Sequence, residues 1–146
     1  MFEEALLLLD TPASLCDGAR RLAELGDRRA LVPLCQAYER RREQSGACVI
    51  EALETLGGPA AAAALARSDE AAERAAGLRL LQLFPDEDQL GLLEQALGSD
   101  DADVRRRAGE ALRSQWRTPA WRAAVERAAG SPHEDVRRAA AALRAG

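Results

Sequence analysis

The side chains best suited to chemistry are few: one histidine, His133, and three cysteines, Cys16, Cys35 and Cys48. A Cys–His nucleophile needs both groups within hydrogen-bond reach, and no cysteine lies near His133 in sequence. The chain has no Gly-x-Ser-x-Gly elbow. The cysteines are separated by 19 and 13 residues, which matches no zinc-ligand spacing, and an odd number argues against a closed disulfide framework. They are expected to be free thiols packed as small hydrophobes. Gly57-Gly58-Pro59 lacks the lysine and hydroxyl of a phosphate loop and reads as an interhelix turn. The acidic groups Asp86-Glu87-Asp88 and Asp100-Asp101-Asp103 stand where helices should begin. Capping and the helix dipole account for them without general acid–base catalysis. His133, within Ser-Pro-His-Glu, reads as an exposed residue at a helix start. No catalytic, metal-binding or cofactor-binding residue is assigned, and the chain is expected not to be an enzyme.

Binding chemistry is better represented. Formal charge is −4 over 146 residues, too mild to announce a nucleic-acid or membrane partner. Its distribution is uneven: residues 1–103 carry 10 arginines and 20 acids, whereas residues 104–146 carry 10 arginines and 4 acids. A chain polarised in this way can orient its encounter with an oppositely charged partner. Both tryptophans, Trp116 and Trp121, sit among Arg113, Arg117 and Arg122. Arginine with aromatics can hold phosphates and stack on bases. A tryptophan at a turn between packed helices more often fills a gap in the core, and both are read that way first. The chain has no lysine. Its abundant Ala, Arg, Gly and Leu fit GC-rich codons, so arginine in place of lysine says little about phosphate binding.

These side chains must be positioned by helices. The composition, 47% hydrophobic and 30% charged, is that of a globular domain rather than a disordered chain. No apolar run approaches the ~18 residues of a membrane span. Glu3 and Glu4 stand where a secretory signal would be basic, so a cytoplasmic protein is expected. Gly98-Ser99-Asp100-Asp101-Ala102-Asp103-Val104-Arg105-Arg106 recurs as Gly130-Ser131-Pro132-His133-Glu134-Asp135-Val136-Arg137-Arg138, with six of nine positions identical at an offset of 32. The same offset sets Gly77 on Gly109 and Leu80 on Leu112, while Leu22, Leu25 and Gly26 fall on Leu53, Leu56 and Gly57 at an offset of 31. Leu90, Leu93 and Leu97 mark one helical face; Val104, Ala108, Ala111 and Leu112 mark the next. Trp121 and Val125, then Val136, Ala140 and Leu143, repeat the pair.

The map that follows has ten helices, near 2–10, 12–25, 29–43, 46–56, 59–67, 69–83, 86–97, 101–115, 119–129 and 133–144. They group into units of approximately 1–26, 27–57, 58–84, 85–116 and 117–146, forming one domain. Thr11-Pro12 and Thr118-Pro119 supply a capping hydroxyl before a proline at the first helical position. Each hairpin has a hydrophobic stripe it cannot cover alone, so the units must stack. Gly77 and Gly109 mark close helix packing, since each gives up ~1 kcal/mol of helix propensity against alanine.

A leucine-bearing helix, a polar turn, then Asp-Val-Arg-Arg and Ala-x-x-Ala-Leu resembles the HEAT repeat family, especially the short bacterial HEAT-like repeats also found in phycobilin lyase subunits. Asp103-Val104-Arg105-Arg106 and Asp135-Val136-Arg137-Arg138 carry the likeness best, and Ala30-Leu31-Val32-Pro33-Leu34 looks like the first helix with its internal proline. The resemblance implies an all-α fold, a right-handed α-α superhelix of about five hairpins whose second helices line the concave side. Ser99 and Ser131 stand where the family often has aspartate, so a continuous Asp–Arg ladder is not expected. The exposed column on the concave side would be Arg74, Arg106 and Arg138, flanked by Glu73, Arg105 and Arg137.

The expected contact residues are therefore Arg74, Arg105, Arg106, Glu110, Arg113, Arg137 and Arg138, and the expected partner is a protein with an acidic surface or segment. Two alternatives come from relatives in the same family. HEAT-like DNA glycosylases use a basic concave face, which implies nucleic-acid binding through the basic C-terminal half. Lyase-type chains imply an accessory subunit of a modifying enzyme. HEAT-like iron hydroxylases need several His-Glu pairs, and only His133-Glu134 is present. The alanine-rich last helix has no obviously polar outer face and offers an edge for self-association or docking.

Overall fold

Helix-forming periodicity and short polar turns give nine α-helices and two short 3-10 turns, and no strand, among the described residues. The structure is a computed structural model that describes residues 1–115 and 117–146, with the side chains of residues 42–45 outside that description. In chain order the helices are α1 (Phe2–Leu8), α2 (Leu15–Leu25), α3 (Leu31–Thr55), α4 (Gly58–Ala66), α5 (Ala71–Leu83), α6 (Leu90–Leu97), α7 (Ala102–Arg113), α8 (Pro119–Ala129) and α9 (Glu134–Ala145). Among the described residues no single helix is long and apolar enough to cross a membrane. The chain divides into two compact units, Met1–Ala61 and Ala62–Gly146.

In the first unit α2 packs against both α1 and α3, around the fully buried Leu15, Leu22, Leu34, Val49 and Leu53. The repeat seen in sequence is visible in the backbone. Gly26 and Gly57 are the chain's two positive-φ residues among those described, at 66° and 79°, and each follows the end of a helix. The Gly26 N–H closes α2 onto the Ala23 carbonyl.

Three expectations fail in this unit. The break expected between 43 and 46 is absent, and α3 runs unbroken for 25 residues. From Cys35 to Glu51 the sequence has no proline, and the lone Gly46 costs about 1 kcal/mol, too little to stop a helix built largely of strong formers. Thr11-Pro12 does not start α2. The N-cap is Ser14, and its hydroxyl donates back to the Leu8 carbonyl at 2.7 Å. The cysteines are not three free thiols: Cys16 on α2 is disulfide-bonded to Cys48 on α3 across a sequence separation of 32. Cys35 stays outside the bridge, 2% exposed, as a small core residue.

The second unit has two layers. Helices α5, α7 and α9 pack in succession in one layer, α6 and α8 pack together in the other, and α6–α7 and α8–α9 form antiparallel hairpins. The core takes Leu78, Leu80 and Leu81 from α5, Leu93 from α6, Leu112 from α7, Val125 from α8 and Val136 from α9. Capping agrees with the sequence. Asp101 accepts the Asp103 N–H at 2.9 Å, Thr118 accepts the Trp121 N–H at 3.2 Å with Pro119 at the first helical position, and Asp86 accepts the Asp88 N–H. His133 occupies the N-cap of α9 without a side-chain cap bond and is half-buried.

Candidate functional site

The turns between layers carry a device repeated three times. Ser68, Ser99 and Ser131 each accept, through Oγ, the backbone N–H two residues on, at 3.1 Å in every case. Six residues further, Arg74, Arg105 and Arg137 each donate Nη1 to the carbonyl of that same serine, at 3.1, 2.9 and 2.8 Å. Serine tightens the turn and arginine bolts the following helix to it. These three arginines are thus the equivalent positions. The step from the first to the second is 31 residues rather than 32, so Arg74 matches Arg105 and not Arg106, and the expected column is out of register by one.

The same slip separates the two glycines. Gly77 matches Ala108, and a Cβ built on it would lie 2.2 Å from the Ala66 backbone nitrogen. A Cβ on Gly109 would meet only the Ala139 Cβ, at 3.7 Å, an ordinary contact. Close packing accounts for Gly77. At Gly109 the missing side chain leaves room.

That room is the floor of a groove between α7 and α9, about 380 Å³ in volume. Leu97, Ala102, Gly109, Val136 and Ala139 give it an apolar base; Arg105, Arg106, Glu110, Arg113 and Asp135 form its rim. The rim is largely committed to ion pairs. Arg105, 14% exposed, reaches Asp135 of the next hairpin at 3.1 Å. Arg106 contacts Asp103 at 2.6 Å and Glu110 at 2.9 Å. Glu110 also lies 3.5 Å from the guanidinium of Arg79, whose side chain is 3% exposed and bonds Gln82. Hydrogen bonding from Arg107, then from Arg106, holds the Asp103 carboxyl below the ordinary carboxylate range despite partial burial. Burial works to raise Asp135, but the bonds from Arg105 and the Val136 N–H outweigh it and hold that carboxyl low as well. Arg113 differs from its neighbours: it is exposed, and among the described residues it makes no hydrogen bond or ion pair.

A lowered folded-state pKa means that Asp103 stabilises the fold above its unfolded value of 3.8 and stops doing so as pH falls through the lower folded value. Asp103→Asn is expected to lose about 1 kcal/mol or less at neutral pH, the carboxylate being half-exposed and screened although Arg107 is largely buried. Its unfolding free energy should approach that of the parent chain as pH falls below 3.8 and through the lower folded value. Urea titrations between pH 2.5 and 7 measure this.

Of the seven expected contact residues, the groove gathers Arg105, Arg106, Glu110 and Arg113. Arg74 and Arg137 are turn bolts outside it. Arg138 pairs along its own helix with Glu134 at 2.7 Å. Gly109, Asp135, Val136 and Ala139 are functional candidates that sequence reasoning did not name; small residues facing each other on consecutive second helices were the available signal. Trp121 is a core residue, 4% exposed, its indole N–H donating to the Leu112 carbonyl at 2.7 Å, with the Arg117 guanidinium over the ring at 4.9 Å. Trp116 lies outside the described residues. Ion pairs also cross the other layer, Arg127 to Glu94 at 2.5 Å, and tie α8 to α9, Arg144 to Glu126 at 3.1 Å. Among the described residues no three His, Cys, Asp or Glu side chains are grouped to hold a metal ion.

Stacked helical hairpins, a bolted polar turn repeated at 31 and 32 residues, and second helices in one layer define an α-solenoid repeat protein. Residues 62–144 match the family model described as HEAT repeats; that is more than half of the chain, and the chain belongs to the HEAT repeat family. No curated protein sequence matches it.

Proposed function

We propose that this chain is a non-enzymatic protein-interaction module that holds an acidic segment of its partner in the α7–α9 groove. HEAT repeats are in general protein-interaction scaffolds, and the groove supplies a place for the contact. The observation that carries the reading is Arg113, an exposed guanidinium without a partner among the described residues, at the rim of an apolar floor. The groove's other arginines already face carboxylates, so an incoming carboxylate gains most at Arg113, while apolar side chains beside it cover Gly109 and Ala139.

The nucleic-acid alternative rests on the ten arginines of residues 104–146. Against it, the Trp121 indole is buried and unavailable for stacking on a base.

Fluorescence anisotropy with a labelled twelve-residue peptide of alternating Glu and Leu tests the proposal. Binding should weaken as salt rises, and Arg113→Glu should weaken it at least tenfold, about 1.4 kcal/mol. Equal affinity for parent and variant would remove the site. Tighter binding to a duplex than to the peptide, with a steep salt slope, would favour the nucleic-acid alternative.

A further inference from the structure

We propose that Cys16–Cys48 is an exchange-active disulfide, opened and closed in the folded protein by a dithiol partner. The proposal concerns the first unit alone and does not rest on the groove between α7 and α9.

Three observations carry it. The bridge lines a surface groove of about 440 Å³ between α2 and α3, bordered by Arg20, Ala23 and Glu24 on one helix and Glu51, Ala52 and Thr55 on the other. Cys16 is exposed and Cys48 half-exposed, so an attacking thiolate has a path to the sulfur without unfolding. Cys16 is also the second residue of the eleven-residue α2. The N-cap hydroxyl that would ordinarily bond the first-turn amides is turned away, Ser14 donating to the Leu8 carbonyl and sharing a 2.6 Å bond with Thr11. Negative charge developing on the Cys16 sulfur therefore arises beside first-turn amides that the N-cap side chain does not bond. Arg20, one turn further on, adds positive charge, while Asp17, 3.6 Å from that guanidinium, and Glu24 and Glu51 on the groove walls oppose it.

The exchange balances in two steps. One thiolate of a dithiol attacks the exposed Cys16 sulfur; the Cys16–Cys48 bond breaks, a mixed disulfide forms, and Cys48 leaves as a thiolate that takes up a proton. The second thiol of the dithiol, deprotonated, attacks its own sulfur in the mixed disulfide and Cys16 leaves as a thiolate. The dithiol is oxidised to a disulfide, and the protein gains two electrons and two protons. Reduction removes the covalent tie between α2 and α3, while the buried Leu15, Leu22 and Leu53 keep the two helices packed. In a reducing compartment such a bridge forms only transiently, and in an oxidising one it persists.

The test incubates the oxidised full-length chain with dithiothreitol in native buffer, then labels it with a mass-tagged maleimide. Two tags are expected, on Cys16 and Cys48, with far-UV circular dichroism unchanged and the buried Cys35 labelled only after denaturant is added. Oxidised glutathione should then restore the bridge. A second measurement traps the mixed disulfide. Cys48→Ser should take up one glutathione at Cys16 at least tenfold faster than Cys16→Ser takes it up at Cys48. Reduction that needs denaturant, loss of helix on reduction, two tags before any reductant is added, or equal trapping rates would each overturn the proposal.

Discussion

Gly77→Ala is expected to destabilise the protein by about 3 kcal/mol, the upper end of the overpacking range. The added methyl would lie 2.2 Å from the Ala66 nitrogen, 2.6 Å from its Cα and 2.7 Å from the Leu65 carbonyl carbon. All three are backbone atoms of α4. They cannot rotate away as the end of a side chain would, so α5 must back off from α4 and loosen the packing around Leu78 and Leu80. Helix propensity acts in the other direction and favours alanine by ~1 kcal/mol, too little to change the sign. Gly109→Ala is the matched control. Its methyl meets only the Ala139 Cβ at 3.7 Å, so propensity dominates and the variant should gain 0.5 to ~1 kcal/mol. Urea unfolding of both variants settles the comparison. Equal and small effects would show that the α4–α5 approach is not as close as described.

The second large effect concerns the first unit. Replacing Cys16 and Cys48 together by serine is expected to remove roughly 3–4 kcal/mol of stability, the loop-closure entropy of a cross-link across a separation of 32 residues. Serine itself costs little at an exposed and a half-exposed position, so the loss belongs to the cross-link. Guanidinium unfolding should place the oxidised parent well above the double variant. Reductant should bring the parent down to the variant's midpoint and leave the variant unmoved. Coincident midpoints for all four conditions would mean that no bridge constrains the unfolded chain.

Much of the second unit was legible because its signals are local and repeated. Asp101 and Thr118 cap where their types say they should, and Leu90, Leu93, Leu97, Ala108, Leu112, Val125 and Val136 all bury. The register slip was not legible, because Arg105-Arg106 presents two arginines and only the bond to the serine carbonyl tells which of them matches Arg74. In the first unit a break was expected between 43 and 46, and α3 ran through it. That error hid the disulfide as well. With 29–43 and 46–56 read as separate helices, nothing placed Cys48 opposite the first turn of α2, and counting three cysteines as a set obscured a pair and a core residue. The groove was half legible: its charged rim could be read from composition and spacing. Its floor depends on Gly109 facing Ala139, which is a property of how two helices stack.

We propose that the rim and floor between α7 and α9 receive an acidic segment. Amide chemical-shift mapping of the labelled chain with the Glu-Leu peptide tests it most directly. The predicted result is a set of saturable shifts confined to Leu97, Ala102–Arg113 and Glu134–Ala139, strongest at Gly109 and Arg113 and lost in Arg113→Glu. Saturable shifts clustered elsewhere on the chain and unaffected by that substitution would contradict it.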